Sequence, residues 1–200
     1  MLSIKTLFEN HQTRLNLVDV TRYGLKANLE ETKFFGKNNQ KILLNNNTVK
    51  ALVRAKKMLP EGYNFVITWG YRGYKLQVKI NEYMKEKLQK SNPHNWEDML
   101  ITYTGGDEYL KYLRTTKSFS HMSHASGKTV DIGGITDKNN NSIDLGGWST
   151  NITDQPNYYE TKTSPNDIII RDNRRMLKNV MTKNDFECHK EEWWHWGYKK

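Results

Sequence analysis

The stretch Glu192-Trp193-Trp194-His195 constrains this chain more than any other. It sets a carboxylate and an imidazole three positions apart, among the tryptophans Trp193, Trp194 and Trp196. A second chemistry-bearing stretch lies far upstream, Ser123-His124-Ala125-Ser126-Gly127-Lys128-Thr129-Val130-Asp131. Together the two supply His124, Asp131 and His195 as ligands for a metal ion and leave Glu192 over as a base. A catalytic zinc site uses about three protein ligands and keeps an open position for water, and these residues meet that count. Any fold that uses them must bring two distant segments to one point.

The spacing restricts how this can happen. His124 and Asp131 are seven positions apart. A regular helix would separate them by about 10 Å along its axis, too far for one ion. A loop turned at Gly127, feeding a strand that carries Asp131, lets both reach it. His195 then comes from another strand. On a flat strand Glu192 would point to the opposite face from His195, so the spacing demands a bend at Trp193-Trp194.

The remainder reads as alternating strands and helices. Leu15-Asn16-Leu17-Val18-Asp19-Val20 suits a first strand, and Phe34-Phe35-Gly36 a turn. Asn45 to Thr48 offer helix caps before an amphipathic helix over 48–59, stopped by Pro60. Tyr63 to Trp69 is the clearest strand, with Tyr63, Phe65, Ile67 and Trp69 on one face. It ends in Gly70-Tyr71-Arg72-Gly73, which places an arginine just past a strand end. A second helix is expected over 74–90, with Leu76, Ile80, Met84 and Leu88 as its stripe. Pro93, Trp96 and Gly105-Gly106 make 91–118 read as an irregular surface excursion. Asp137 to Ser142 reads as a hairpin turn; as a calcium loop it lacks the central glycine and the closing glutamate. Ser164-Pro165-Asn166-Asp167 opens a last helix. Asp185-Phe186-Glu187-Cys188 leads into the tryptophan-rich stretch as a final strand.

Composition decides a few points. Cys188 is the only cysteine, so neither an intramolecular disulfide nor a thiolate metal site is available. The net charge of +9 suits nucleic acid or an anionic polymer as partner. The lysines are scattered rather than massed, however, which favours a solvated basic surface and no nucleic acid. No run of about 18 apolar residues is present, so no membrane span is expected. The polar start, without an apolar signal region, gives a cytoplasmic expectation. Each candidate also has a plainer role: His124 and Asp131 as a structural hydrogen-bonded pair, Arg72 as a surface residue, Glu192 as the partner of a lysine. His121 and His189 are rival ligands, whereas His11 and His94 have no chemical context.

Taken jointly, the motifs resemble the D-alanyl-D-alanine dipeptidases of the vancomycin-resistance type, a branch of the zinc D,D-peptidases. The family's His-x-x-Gly-x-Ala-x-Asp matches His124 to Asp131, with Thr129 in place of the alanine. Its Glu-x-Trp-His motif matches Glu192 to His195, and its Gly-Tyr-Arg matches Gly70 to Arg72. Asn173-Arg174-Arg175-Met176-Leu177 is similar to its Asn-Arg-x-Leu-Leu segment, and the likeness covers roughly 15–200. The resemblance implies one zinc ion on His124, Asp131 and His195, Glu192 as base, and Arg72 as stabiliser of the transition state. It also implies an α+β fold in one domain over 1–200, with a small, mainly antiparallel sheet flanked by helices and the zinc site at the sheet. The implied substrate is a short D-amino-acid peptide or a peptidoglycan fragment.

Two departures bear on specificity. Met122 stands where the family often has a serine, with Ser123 beside it. The family's amino-group-binding aspartate falls at Thr150, which carries no charge, and Asp154 is a candidate replacement through a longer loop. The leading expectation is hydrolysis of D-Ala-D-Ala or a related short cell-wall peptide. The alternatives are a peptidoglycan D,D-carboxypeptidase or endopeptidase with the same site, and a non-catalytic zinc-containing binding module.

Overall fold

The structure, a computed structural model, describes residues 15–30, 32, 41–116, 118–147 and 152–200. Phe34-Phe35-Gly36 and Trp148-Ser149-Thr150 lie outside the described residues. The architecture is α+β, as the motifs imply. Strands β1 (Leu17–Asp19), β2 (Lys26–Ala27) and β3 (Leu43–Asn45) precede helix α1 (Asn46–Lys56) and strand β4 (Asn64–Trp69). Helices α2 (Tyr74–Ser91), α3 (Trp96–Thr104) and α4 (Gly106–Thr115) follow, then strand β5 (Thr129–Thr136). Helix α5 (Pro165–Thr182) and strands β6 (Phe186–Cys188) and β7 (His195–Tyr198) complete the chain.

The main sheet has five strands in the order β2-β4-β5-β7-β6. Only the short β2 pairs in parallel, with β4; the other pairings are antiparallel. β1 and β3 form a separate antiparallel pair. Asn45 caps α1 through a side-chain oxygen 2.9 Å from the amide of Asn47. At the start of α5, Ser164 accepts from the amide of Asp167, with Pro165 at the first helical position. Helices α1 and α5 bring Val49, Leu52, Leu177, Val180 and Met181 against Phe65, Ile67, Val130 and Ile132 of the sheet, and together these form the main core. Burying each such side chain stabilises the fold by roughly 1.5–3 kcal/mol.

Sequence periodicity needs four corrections. The first strand is shorter than 15–20, because Val20 already opens a 3-10 turn capped by Asp19. Trp69 does not share the core face with Phe65 and Ile67. The pairing of β4 with β5 is irregular between Ile67 and Trp69, and a bulge there re-aims the residue that follows it. The stretch 91–118 is not an irregular excursion but holds α3 and α4, joined at Gly105, whose φ of +73° serves as the left-handed cap of α3. Finally, the C-terminal segment is not one strand. β6 and β7 form an antiparallel pair, and the residues between them make a turn. The hairpin expectation at 137–142 holds: Asp137 Oδ1 accepts from the amides of Asn139 and Asn141, and Thr136 bridges Ser142.

Candidate active site

Three neighbouring strands set up the site. In the register of the sheet, Trp69 on β4 and His195 on β7 both lie opposite Asp131 on β5. His124 reaches the same point from a one-turn 3-10 segment that ends at Gly127, whose φ is +71°. This is the glycine-turned loop that the spacing required. A side chain at 127 would also approach Leu17 to within 2.8 Å, and the Gly127 carbonyl accepts from the amide of Asn45 at 2.8 Å. The β1–β3 pair therefore braces the loop.

The turn at Trp193-Trp194 is present as well. The amide of His195 bonds the Glu192 carbonyl at 3.2 Å, which folds the chain enough for both side chains to face one centre. Trp193 anchors this turn from behind: its amide bonds the Asp154 carbonyl, and its indole nitrogen bonds the Gly147 carbonyl at 3.0 Å. Arg174, buried beneath, donates to the carbonyls of Leu145, Thr153 and Gln155. Its guanidinium also stacks over Trp193 at 5.0 Å. Asp154 is 3% exposed and lies on this rear side, near Arg174, not among the described residues that line the active-site cavity.

The orientation of the two imidazoles is the central geometric fact. Nδ1 of His124 lies 2.7 Å from the Gly70 carbonyl, and Nε2 of His195 lies 2.9 Å from the Met122 carbonyl. A carbonyl only accepts, so each of these nitrogens carries the proton. When the rings are neutral, as metal ligands must be, the opposite nitrogen of each is a lone pair. Both face one carboxylate: His124 Nε2 is 3.2 Å from Asp131 Oδ2, and His195 Nδ1 is 3.2 Å from Asp131 Oδ1. Arg72 satisfies Asp131 Oδ2, but Nε2 of His124 and Oδ1 of Asp131 are buried without a hydrogen-bond partner, a pair of orphaned acceptors that a metal cation would satisfy. The ligand atoms of His124, Asp131 and His195 all fall within 4.8 Å of one another. The donor set, two nitrogens and an oxygen with both rings fixed by carbonyls, fits a metal ion of the zinc type.

Burial, and then the charge of Arg72, pushes the pKa of His124 down to about 4, which keeps the ring neutral and able to ligate. Burial opposes charge on His195 too, but the hydrogen bond and charge of Asp131 outweigh it and raise its pKa. Asp131 is held well below the usual carboxylate range: burial works against its charge, and the two histidines overcome that. Glu192 is shifted the other way, upward, by burial, with His195 and Arg72 offsetting part of the effect. Its Oε2 lies 3.4 Å from His195 Nδ1. Arg72 binds Asp131 Oδ2 through Nη2 at 3.0 Å and stacks over Trp69 at 5.1 Å. Its Nε is buried without a partner.

The rival histidines separate by position. His121 pairs with Glu187 at 3.0 Å, away from the trio. His189 stands beside the site, its ring 5.2 Å from that of His195 and its Nδ1 3.7 Å from Glu192 Oε2. His94 is exposed, and His11 lies outside the described residues.

Sequence reasoning missed the two carbonyls and what brings them close. A side chain at Gly70 would come within 2.5 Å of the Leu43 carbonyl, and one at Gly197 within 2.7 Å of the His121 carbonyl. Both glycines permit backbone approaches that a Cβ would block. Also missed was Tyr109 of α4, whose hydroxyl lies 2.8 Å from Ser123 Oγ, next to His124.

The family model described as D-ala-D-ala dipeptidase, a peptidase family, matches residues 15–200, and the chain belongs to that family. As a member it is a peptidase of peptidoglycan-related peptides. No curated protein matches the chain.

Proposed function

We propose that the chain is a zinc-dependent peptidase that hydrolyses D-Ala-D-Ala or a related short cell-wall peptide, with zinc held by His124, Asp131 and His195. One observation carries this reading. Both imidazoles set one ring nitrogen against a backbone carbonyl and turn the other toward Asp131, with a fourth, acidic side chain 3.4 Å from His195. Zinc in such a set supplies Lewis acidity and lowers the pKa of water to about 7. Glu192, its pKa raised by burial, accepts the proton of the attacking water and delivers it to the leaving amine. Arg72, which lines the cavity beside the trio, supplies positive charge toward the oxygen on which negative charge develops. Asp131 and the Trp69 ring hold the guanidinium in place while it does so. The Gly70 and Met122 carbonyls keep both ring tautomers fixed. A purely structural metal site has no use for a base, and Glu192 at this position therefore favours hydrolysis over a binding module.

The test combines metal analysis with a D-Ala-D-Ala hydrolysis assay, with and without a chelator. Stoichiometric zinc, activity lost on chelation and restored by zinc, and a Glu192→Gln protein that keeps the metal but not the activity are the expected results. A protein that binds no zinc, or a Glu192→Gln variant of unchanged activity, overturns the reading.

A further inference from the structure

The active-site cavity has two kinds of wall, the sheet with its metal-binding trio and the helices α2, α3 and α4. The segment 120–123 lies against the sheet, and Ser120, Met122 and Ser123 line the cavity. The Met122 carbonyl sits 2.9 Å from Nε2 of His195 and orients that ring. The segment can come this close because β7 has no side chain at Gly197. A Cβ there would meet Met122 Sδ and come within 2.7 Å of the His121 carbonyl.

The register of the sheet shows how the segment is fastened. Asp131 on β5 pairs with His195 on β7, and two residues along each strand Thr129 pairs with Gly197. Gly197 pairs in turn with Glu187 on β6. Residues two apart on a strand share a face, so the row Thr129, Gly197, Glu187 lies beside the metal-binding row on the same face. The two side chains of that row both reach His121. Thr129 Oγ1 donates to its carbonyl at 2.7 Å, and Glu187 Oε2 accepts from its ring Nε2 at 3.0 Å. His121 is thus tied to the strands on both sides of the one it crosses.

The two ties differ in strength. Thr129 is fully buried, and a buried carbonyl deprived of its donor is costly. The His121 and Glu187 side chains are 31% and 54% exposed, and an exposed pair contributes less. Only the two backbone dihedrals of Met122 separate the His121 carbonyl from the Met122 carbonyl, so fixing the first restrains the second. The Met122 amide is held as well, 3.2 Å from Ser120 Oγ. Thr129 also stands where the matched His-x-x-Gly-x-Ala-x-Asp motif has an alanine. Alanine has no hydroxyl, so the buried tie belongs to this chain and not to the motif.

We infer that Thr129 and the His121–Glu187 pair are positioning residues for metal binding. They clamp the segment that sets the Met122 carbonyl on His195, and so aim the other nitrogen of that ring. This rests on the metal site proposed above. It gives His121, a rival ligand by sequence, a role outside the coordination shell.

The experiment measures zinc affinity against a competing chelator for the full-length protein and for Thr129→Val, Thr129→Ser and Glu187→Ala, with thermal melts to confirm folding. Valine keeps the packing and loses the hydroxyl, whereas serine keeps the hydroxyl and loses packing. Thr129→Val is expected to weaken zinc binding about tenfold, Glu187→Ala about threefold, and Thr129→Ser by no more than about twofold. Affinity unmoved by Thr129→Val or by Glu187→Ala, or lowered as much by Thr129→Ser as by Thr129→Val, overturns the inference. If the wild-type protein takes up no zinc, the metal reading falls by itself. The clamp is then judged on the metal-free protein by NMR, from the exchange with water of the Nε2 proton of His195. Exchange about tenfold faster in Thr129→Val than in wild type and Thr129→Ser supports it. Equal exchange in all three, or no protected proton in wild type, overturns it.

Discussion

The sheet end of the cavity and its helical wall are built on different terms. At the sheet end the groups have specific anchors: His124 the Gly70 carbonyl, His195 the Met122 carbonyl, Arg72 both Asp131 and Trp69. The segments approach so closely that a Cβ at Gly70 or Gly197 would meet backbone. The helical wall is held more lightly. Its buried apolar residues Ile80, Leu88 and Leu113 stand outside the main core cluster, and Tyr83 on its lining is 41% exposed. Chemistry needs reacting groups held within a fraction of an ångström, and recognition of a flexible chain does not. On the proposed function, the contrast fits reaction at the sheet and leaves the helices free of that demand.

Substitutions should sort along the same division. The largest effect is expected at Asp131→Asn, which weakens the trio at its centre; zinc content by mass spectrometry falls below stoichiometric and hydrolysis is lost. Next comes Glu192→Gln, with turnover reduced by about 10²–10⁴-fold while zinc content is unchanged, a pair of readings that separates base from ligand. Gly197→Ala pushes the segment carrying the Met122 carbonyl away from His195. Zinc affinity measured against a competing chelator should fall about 10–100-fold although no ligand has been touched. Arg174→Met leaves the carbonyls of Leu145, Thr153 and Gln155 without their donor and should lower stability in urea by about 2–4 kcal/mol. The smallest effect is expected from Tyr83→Ala on the helical wall, within about 0.5 kcal/mol of wild-type stability. A Tyr83→Ala protein that loses zinc, or a Gly197→Ala protein that keeps full affinity, would break the division.

How much of this was legible in the sequence follows the same line. His124, Asp131 and His195 could be read because ligand chemistry restricts the residue types. Gly127 and the turn after Glu192 could be read because the spacing leaves no other way to converge. The carbonyls of Gly70 and Met122 could not, since every residue has one and nothing in a side chain marks which will be used. Helices α3 and α4 escaped for another reason. At nine and ten residues, each is shorter than the 11–18-residue window in which helical periodicity stands out. Gly105 between them reads as a breaker until its role as a cap is seen. Trp69 was placed on the wrong face because alternation assumes an unbroken ladder, and the bulge near Thr68 breaks it.

Helices α2, α3 and α4 belong to a single excursion, leaving the sheet after β4 and re-entering it at β5, two strands that are already hydrogen-bonded neighbours. The fold therefore treats residues 74–116 as an exchangeable cassette. The strand ladder itself is paired without it, although Tyr109 within it still bonds Ser123 beside His124.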